Sequence, residues 1–360
     1  MGADETRVVD SDKIWATLIT KDSYLPGLLA LAFSLRQVQS RYPLVALHTG
    51  TLSDGTVRAL AARGIPLQRV PYIDPGTPAQ QGAGAGAGAG GTGGSGAPGG
   101  QGVHGMVFSR FRDCFTKLVA FSLAAYSRIV LLDADMLVRR NMDELFDFPI
   151  CLQKETLNKH THTQQKNDAC ICNPFGIPIY PADWTPANCA FTQQHADPAG
   201  AQTDGGSPAD GRGNLNAGLL VLAPGSRSGA EVYRAALAAL AGGTGPDRSP
   251  LQLPFAEQSL LCLLFPGRWV ALPYVYNALG PMRLRRVHGA IWRDDEVRNV
   301  HYILTPKPWE KSQDEVFQET QGGDADHGDS DEDQLKVLYR WWWEVDAERR
   351  AWEAKNGIGS

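Results

Sequence analysis

No run of about 18 apolar residues occurs in the 360-residue chain, so no membrane-spanning helix is expected. Basic residues are not in excess: 34 Lys and Arg stand against 39 Asp and Glu, a net charge of -5. That balance argues against a nucleic-acid binder, which usually presents a basic face. No G-x-G-x-x-G follows the first apolar segment, which sets aside a nicotinamide-dependent oxidoreductase. The N-terminal MGADETRVVDSDK is polar and acidic and does not read as a signal peptide, so a cytoplasmic location is expected. Cysteines are few: Cys114, Cys151, Cys170, Cys172, Cys189 and Cys262. Without a secretory signal they do not read as a disulfide framework. Cys170-x-Cys172, with His160, His162 and Cys189 nearby, offers zinc ligands, though not at zinc-finger spacing; the alternative is a loop of thiols. The glycine-rich QGAGAGAGAGGTGGSGAPGGQG lacks the Gly-X-Y period with proline that collagen needs. No GK[ST] follows it, so it is not a phosphate loop, and residues 80–102 are expected as a flexible surface loop.

What is present is an apolar fraction of 43%, enough for a sizeable core, arranged in an alternating pattern. Ile14 to Ile19 is apolar and β-prone. It is followed by a helix that Asp22 or Ser23 would cap, with Pro26 in its first turn. PLVALHTG predicts a second buried strand, SDGTVRALAARG a helix opened by Ser53 or Asp54 and closed by Gly64, and IPLQRVPYI a third strand. RDCFTKLVAFSLAAYSR has the spacing of an amphipathic helix and feeds the strand IVLLDAD. NMDELFD predicts a short helix with Asn141 as cap. Further on come a strand in NLNAGLLVLAPG and helices in GAEVYRAALAALAGG and FAEQSLLCLLF. Alternation of strand and helix predicts a mainly parallel, Rossmann-like α/β sheet with helices on both faces. The expected organisation is one catalytic domain over 1–315, with an irregular Cys-bearing insertion at 151–213. An acidic linker at 316–333 and a Trp-rich helix over 334–360 follow, the helix docking through Leu338, Trp341, Trp342 and Val345.

The segment carrying chemistry is RIVLLDADMLVRRNMDELF. In an extended strand Asp133 and Asp135 project to the same side, at the C-terminal end where open α/β sheets place their ligands. Two adjacent carboxylates repel unless a cation lies between them or one is protonated. Oxygen ligands select a hard divalent ion; read alone, the pair could equally be loop aspartates before a helix. Downstream, NVHYILTPKPW supplies His301, an imidazole better suited to Mn²⁺ than to Mg²⁺, and Lys307, a partner for phosphate. Together the four outline a metal–diphosphate site.

LLDADMLVRRNMDELF, NLNAGLLVLAPG, FAEQSLL and HYILTPKPW, in that order, resemble the motifs of glycosyltransferase family 8. TLITKDSYLPGLLALAFSL resembles the family's N-terminal nucleotide-binding segment. The resemblance covers roughly residues 12–310, apart from the glycine-rich loop and parts of the Cys-bearing insertion. It implies a GT-A fold and a retaining hexosyltransferase that moves a sugar from a UDP-sugar donor to an acceptor hydroxyl, with Mn²⁺ or in its place Mg²⁺. By motif, Leu18, Thr20 and Tyr24 would hold uracil and ribose, and Lys117 would lie near the phosphates or sugar. Asp133, Asp135 and His301 would ligate the metal, with the Ala134 backbone at the ribose and Lys307 on the diphosphate. Asn216 and Ala217 would contact the donor sugar, and the catalytic Glu257 and Gln258 would lie beneath its anomeric carbon. Two positions depart from the glycogenin-like pattern: Lys21 replaces an asparagine and Leu304 a glycine. No tyrosine lies between Tyr276-Asn277 and His301, so self-glucosylation there is not expected. That segment and the Cys-bearing insertion look closer to galactinol synthase, a resemblance that implies inositol as acceptor, with a glycogenin-like glucosyltransferase as the other alternative. The partners expected are the donor and a hydroxyl acceptor, with a homodimer left open. The non-enzyme alternative is an inactive sugar-nucleotide-binding scaffold.

Overall fold

The computed structural model describes residues 7–76, 109–148, 165–168, 172–178, 180–207, 214–266, 268–317 and 330–358. The glycine-rich stretch and Cys151, His160, His162 and Cys170 lie outside the described residues. The strands are β1 (Lys13–Leu18), β2 (Leu44–His48), β3 (Leu67–Arg69), β4 (Arg128–Leu132), β5 (Met136–Val138), β6 (Gln165–Asp168), β7 (Leu215–Leu222), β8 (Val270–Leu272), β9 (Ala278–Leu279) and β10 (Asn299–His301). The helices are α1 (Leu25–Gln37), α2 (Asp54–Ala62), α3 (Ala190–Gln193), α4 (Arg227–Gly242), α5 (Ala256–Leu264), α6 (Gln313–Phe317) and α7 (Asp331–Lys355).

A seven-stranded sheet runs β3-β2-β1-β4-β7-β6-β8. β1 is parallel to β2 and β4, and β2 to β3. β7 is reversed against both β4 and β6, while β8 is parallel to β6. This reversal was not legible in NLNAGLLVL, because a strand buried on both faces has the same apolar run in either direction. Side chains alternate between two cores: Ile129 and Leu131 of β4 enter one, Val130 and Leu132 the other. The expected insertion is not wholly irregular, since it contributes β6 to the main sheet. Pairing slips between Lys166 and Asn167, whose partners on β7 are Leu220 and Asn216. A bulge of this kind re-aims side chains, and here it falls beside Asn216 and Ala217.

Three local expectations are corrected. Neither Asp22 nor Ser23 caps α1. They form a short 3-10 turn ahead of it, and Asp22 Oδ1 instead accepts the Ser53 N–H at 3.1 Å, while Ser53 caps α2. The amphipathic helix expected from Arg112 is a run of 3-10 turns over Ser109–Ser122. Every residue from Phe115 to Phe121 is buried there, so no single apolar stripe governs its winding. The first turn of α7 includes Asp331, Glu332 and Asp333, which the sequence placed in the linker. Ser330 caps them, and carboxylates favour the positive end of a helix.

α7 covers the loop after β10. Tyr302 donates its hydroxyl to the Leu338 carbonyl at 2.8 Å, Tyr339 to the Pro306 carbonyl at 2.7 Å, and the Trp343 indole to the Pro308 carbonyl at 3.1 Å. Trp342 packs its ring 5.7 Å from that of Trp309. The far end of α7 seals α1 and α2: Arg36 lies over the Trp352 ring and Arg63 forms an ion pair with Glu353.

Candidate active site

Between β4 and β5 the chain leaves the large sheet for the three-stranded sheet β5-β10-β9. Asp133, Ala134 and Asp135 make the crossing, so the two aspartates sit in a turn and not in the extended strand expected. They converge nonetheless, because β10 lies antiparallel to β5 and brings His301 opposite Met136. His301 Nε2 is 3.5 Å from Asp133 Oδ2 and 3.3 Å from Asp135 Oδ1. α1 must come close to this turn: a Cβ on Gly27 would meet the Ala134 carbonyl at 2.5 Å and the Trp309 ring at 2.6 Å.

The tautomer of His301 follows from its neighbours. Asn216 Oδ1 accepts from the Gly218 N–H and from Asn277 Nδ2, both at 2.9 Å. Asn277 Oδ1 therefore faces His301 Nδ1, 2.9 Å away, and Nδ1 carries the proton. The Nε2 lone pair is left facing the carboxylates, the arrangement a metal-binding imidazole needs. Gly218 abuts the ring, where a Cβ would lie 2.6 Å from Nδ1. Gly218→Ala is expected to turn the imidazole and lower divalent-metal affinity by about 10- to 100-fold, the usual cost of disturbing a ligand's support, with a smaller effect on stability. Titration calorimetry with Mn²⁺ checks it, and unchanged affinity refutes it.

Two buried lysines answer the acids. Lys307 Nζ lies 2.7 Å from Asp135 Oδ2 and donates to the Tyr302 carbonyl. Burial raises the Asp135 carboxyl, but the Lys307 ammonium beside it outweighs burial and holds it well below the usual carboxylate range. Lys117 Nζ bridges Asp133 Oδ1 at 2.6 Å and Glu257 Oε1 at 3.1 Å. Burial weakens its charged form, yet those two carboxylates raise the ammonium well above its ordinary value. Glu257, only 3% exposed, is pushed up to about 7, first by burial and against the pull of Lys117, with Asp133 adding repulsion. Gln258 is pinned, its Oε1 accepting the Ala217 N–H at 3.1 Å.

All these groups face one cavity of ≈ 480 Å³, within the range of small-ligand sites. It is lined by Leu18, Thr20, Tyr24, Lys117, Asp133, Ala134, Asp135, Asn216, Ala217, Glu257, Gln258, His301 and Lys307, so every residue that the family resemblance assigned to donor, metal or catalysis lies in its lining. The sequence reading missed Asp113, which accepts from Thr20 and pairs with Lys21 at 3.1 Å. It treated Asn277 only as a landmark. It also missed an aromatic wall of Phe175, Tyr180, Trp184 and Phe255, with Trp184 stacked on Phe255 at 4.6 Å. The one available signal was YPADW, an aromatic pair inside an otherwise polar insertion.

The model of the family described as Glycosyl transferase family 8 matches residues 109–313. The chain belongs to that family. It is a glycosyltransferase, and the motifs that resembled family 8 carry the cavity's acidic turn, its histidine and its α5 acid–amide pair. Galactinol synthase 1 of Arabidopsis thaliana is 24% identical over 354 residues, covering 94% of this chain and 80% of that protein. Human glycogenin-1 is 31% identical over 139 residues, covering 38% of this chain and 33% of glycogenin-1. Among solved structures, the galactosyltransferase LgtC in complex with donor and acceptor sugar analogues superposes with a TM-score of 0.53. That match has 15% identity and covers 93% of this chain and 95% of LgtC. The fold of this family 8 chain is GT-A. No helix among its described residues is long and apolar enough to cross a membrane.

Proposed function

We propose that this glycosyltransferase moves a hexose from a UDP-sugar to an acceptor hydroxyl with retention of configuration, Mn²⁺ being held by Asp133, Asp135 and His301. The observation that carries the reading is the convergence of those three side chains, with the His301 Nε2 lone pair facing two carboxylates. An imidazole with two carboxylates suits manganese, and magnesium less well. When bound, the ion supplies positive charge that stabilises the departing diphosphate. Lys307 adds a second positive charge on the same side. Leu18, Thr20 and Tyr24 form the nucleoside end, Tyr24 being braced by the Trp309 ring 5.9 Å away. Ala134 presents its backbone to the ribose, while Asn216 and Ala217, on the bulge of β7, contact the donor sugar.

Glu257 and Gln258 lie under the transferred sugar in this reading. Glu257 is tied to Lys117, and Gln258 to the backbone of Ala217. Both act as fixed polar groups that stabilise a cationic sugar centre, which favours attack by the acceptor from the leaving-group face over a covalent intermediate. A small polyol of the inositol type is the acceptor this reading assigns. The match to a galactinol synthase spans nearly the whole chain, and the Trp184–Phe255 wall offers apolar faces for a sugar-like ring. A panel of UDP-sugars, scored for Mn²⁺-dependent UDP release with inositol and small glycosides as acceptors, is expected to pick out one donor and a polyol. UDP binding with no turnover on any pair would overturn the enzymatic reading in favour of a scaffold.

A further inference from the structure

We infer that the protein holds a second metal, a buried zinc ion bound by Cys172, Cys189 and His288 and distinct from the proposed manganese site. Cys189 and His288 are fully buried and Cys172 is 8% exposed. His288 Nε2 lies 3.2 Å from Cys172 Sγ and 3.5 Å from Cys189 Sγ. The three ligand atoms fall within 4.8 Å of one another. With Zn–S near 2.3 Å and Zn–N near 2.0–2.1 Å, a tetrahedral ion sets each S···N separation at about 3.6 Å, close to both distances. A ring nitrogen has only one in-plane direction for a proton or lone pair, so Nε2 cannot make two well-aligned hydrogen bonds to two sulfurs. One ion between the three atoms satisfies all of them.

The surroundings fit a ligand set. His195 Nε2 is 3.0 Å from His288 Nδ1. When His288 Nδ1–H donates to it, the Nε2 lone pair is turned toward the sulfurs, the tautomer a metal requires. Thr192 Oγ1, 3.7 Å from Cys172 Sγ, is placed to donate to a thiolate. Two soft sulfur donors with an imidazole select zinc over the hard ions that suit Asp133 and Asp135. On binding, both thiols lose their protons to solvent and the thiolates neutralise the dication. The fourth position is left to water or another donor.

The three ligands come from separate stretches: Cys172 just before the Phe175–Trp184 wall, Cys189 at the start of α3, and His288 between β9 and β10. Zinc here would anchor the side of the cavity that the aromatic wall builds. The experiment is metal analysis by mass spectrometry on the full-length protein after extensive dialysis. One equivalent of zinc per chain is expected, kept in Asp135→Asn and lost in Cys189→Ser and in His288→Gln. Should those two variants fail to fold, exchange of cobalt into the wild-type protein gives the test. Thiolate-to-cobalt charge-transfer absorption with intense visible bands of tetrahedral cobalt is then expected. Wild-type protein without zinc and without those bands overturns the proposal. So does zinc that is lost in Asp135→Asn or unchanged in the folded cysteine and histidine variants. Failure of sugar transfer would leave the zinc result untouched, so the two proposals fail separately.

Discussion

If Asp135 ligates the proposed ion, Asp135→Asn is expected to lower the rate of sugar transfer by about 10³-fold or more, because it weakens the hold on the cation that would stabilise the departing diphosphate. Two consequences should accompany it. Manganese affinity falls, since one of two carboxylates on the ion is gone. Lys307, 7% exposed and paired at 2.7 Å with Asp135, is left with a buried ammonium facing a neutral amide. The latter should destabilise the fold by about 3 kcal/mol, the lower range for breaking a buried pair. Activity therefore has to be measured on protein shown to be folded, by UDP release beside thermal unfolding and calorimetric Mn²⁺ binding. The wild type with EDTA should show the same loss without the Lys307 penalty. Turnover that survives both the substitution and EDTA would sink the metal role.

The second large effect concerns Lys117, which one ammonium places between two acids, Asp133 at 2.6 Å and Glu257 at 3.1 Å. Lys117→Met in the metal-free protein leaves Glu257 without the cation that holds its carboxyl down at about 7, and is expected to cost about 3–5 kcal/mol once the pH is high enough for that carboxyl to lose its proton, with a much smaller cost at neutral pH, where it stays protonated. Lys117→Met/Glu257→Gln should recover most of that loss, since a neutral amide carries no burial penalty of this kind. The wild type has a related pH dependence. The Glu257 carboxyl sits at about 7 in the folded protein, above its ordinary value of 4.5. Its contribution to stability is thus fully present below pH 4.5 and is lost as pH rises through about 7. Glu257→Gln should flatten the stability profile in that window. Denaturant titrations in EDTA at several pH values read both effects, and a Lys117→Met cost under about 1 kcal/mol at a pH where that carboxyl has lost its proton would contradict the pairing.

Much of the site was legible because its residues are the ones that chemistry restricts. Two acids after a buried strand, an imidazole and a lysine have few structural reasons to occur together, and each falls in a segment with strong local signals. Direction and winding were less accessible. β7 is apolar on both faces, so nothing in Leu219–Leu222 records that it runs against β4. The segment around Lys117 carries a helical period but is buried all round, and tertiary packing set its 3-10 form. Asp113 and Asn277 act by holding Lys21 and His301, roles that arise from contacts between residues far apart in the chain. The aromatic wall lies in a segment of low periodicity, where aromatic residues give no clue to what they face.

The cover formed by α7 bears on synthesis. This helix follows every other described element in the chain, yet it holds the backbone of the loop that carries Lys307 and closes α1 and α2. While residues 331–355 remain in the ribosomal tunnel, the strands of both sheets have emerged but the Pro306–Trp309 loop lacks the Tyr339 hydroxyl and Trp343 indole that hold its Pro306 and Pro308 carbonyls. A nascent chain at that stage is a sheet without a finished donor site. The loop that carries Lys307 is completed by one late helix, whose own residues do not line the cavity.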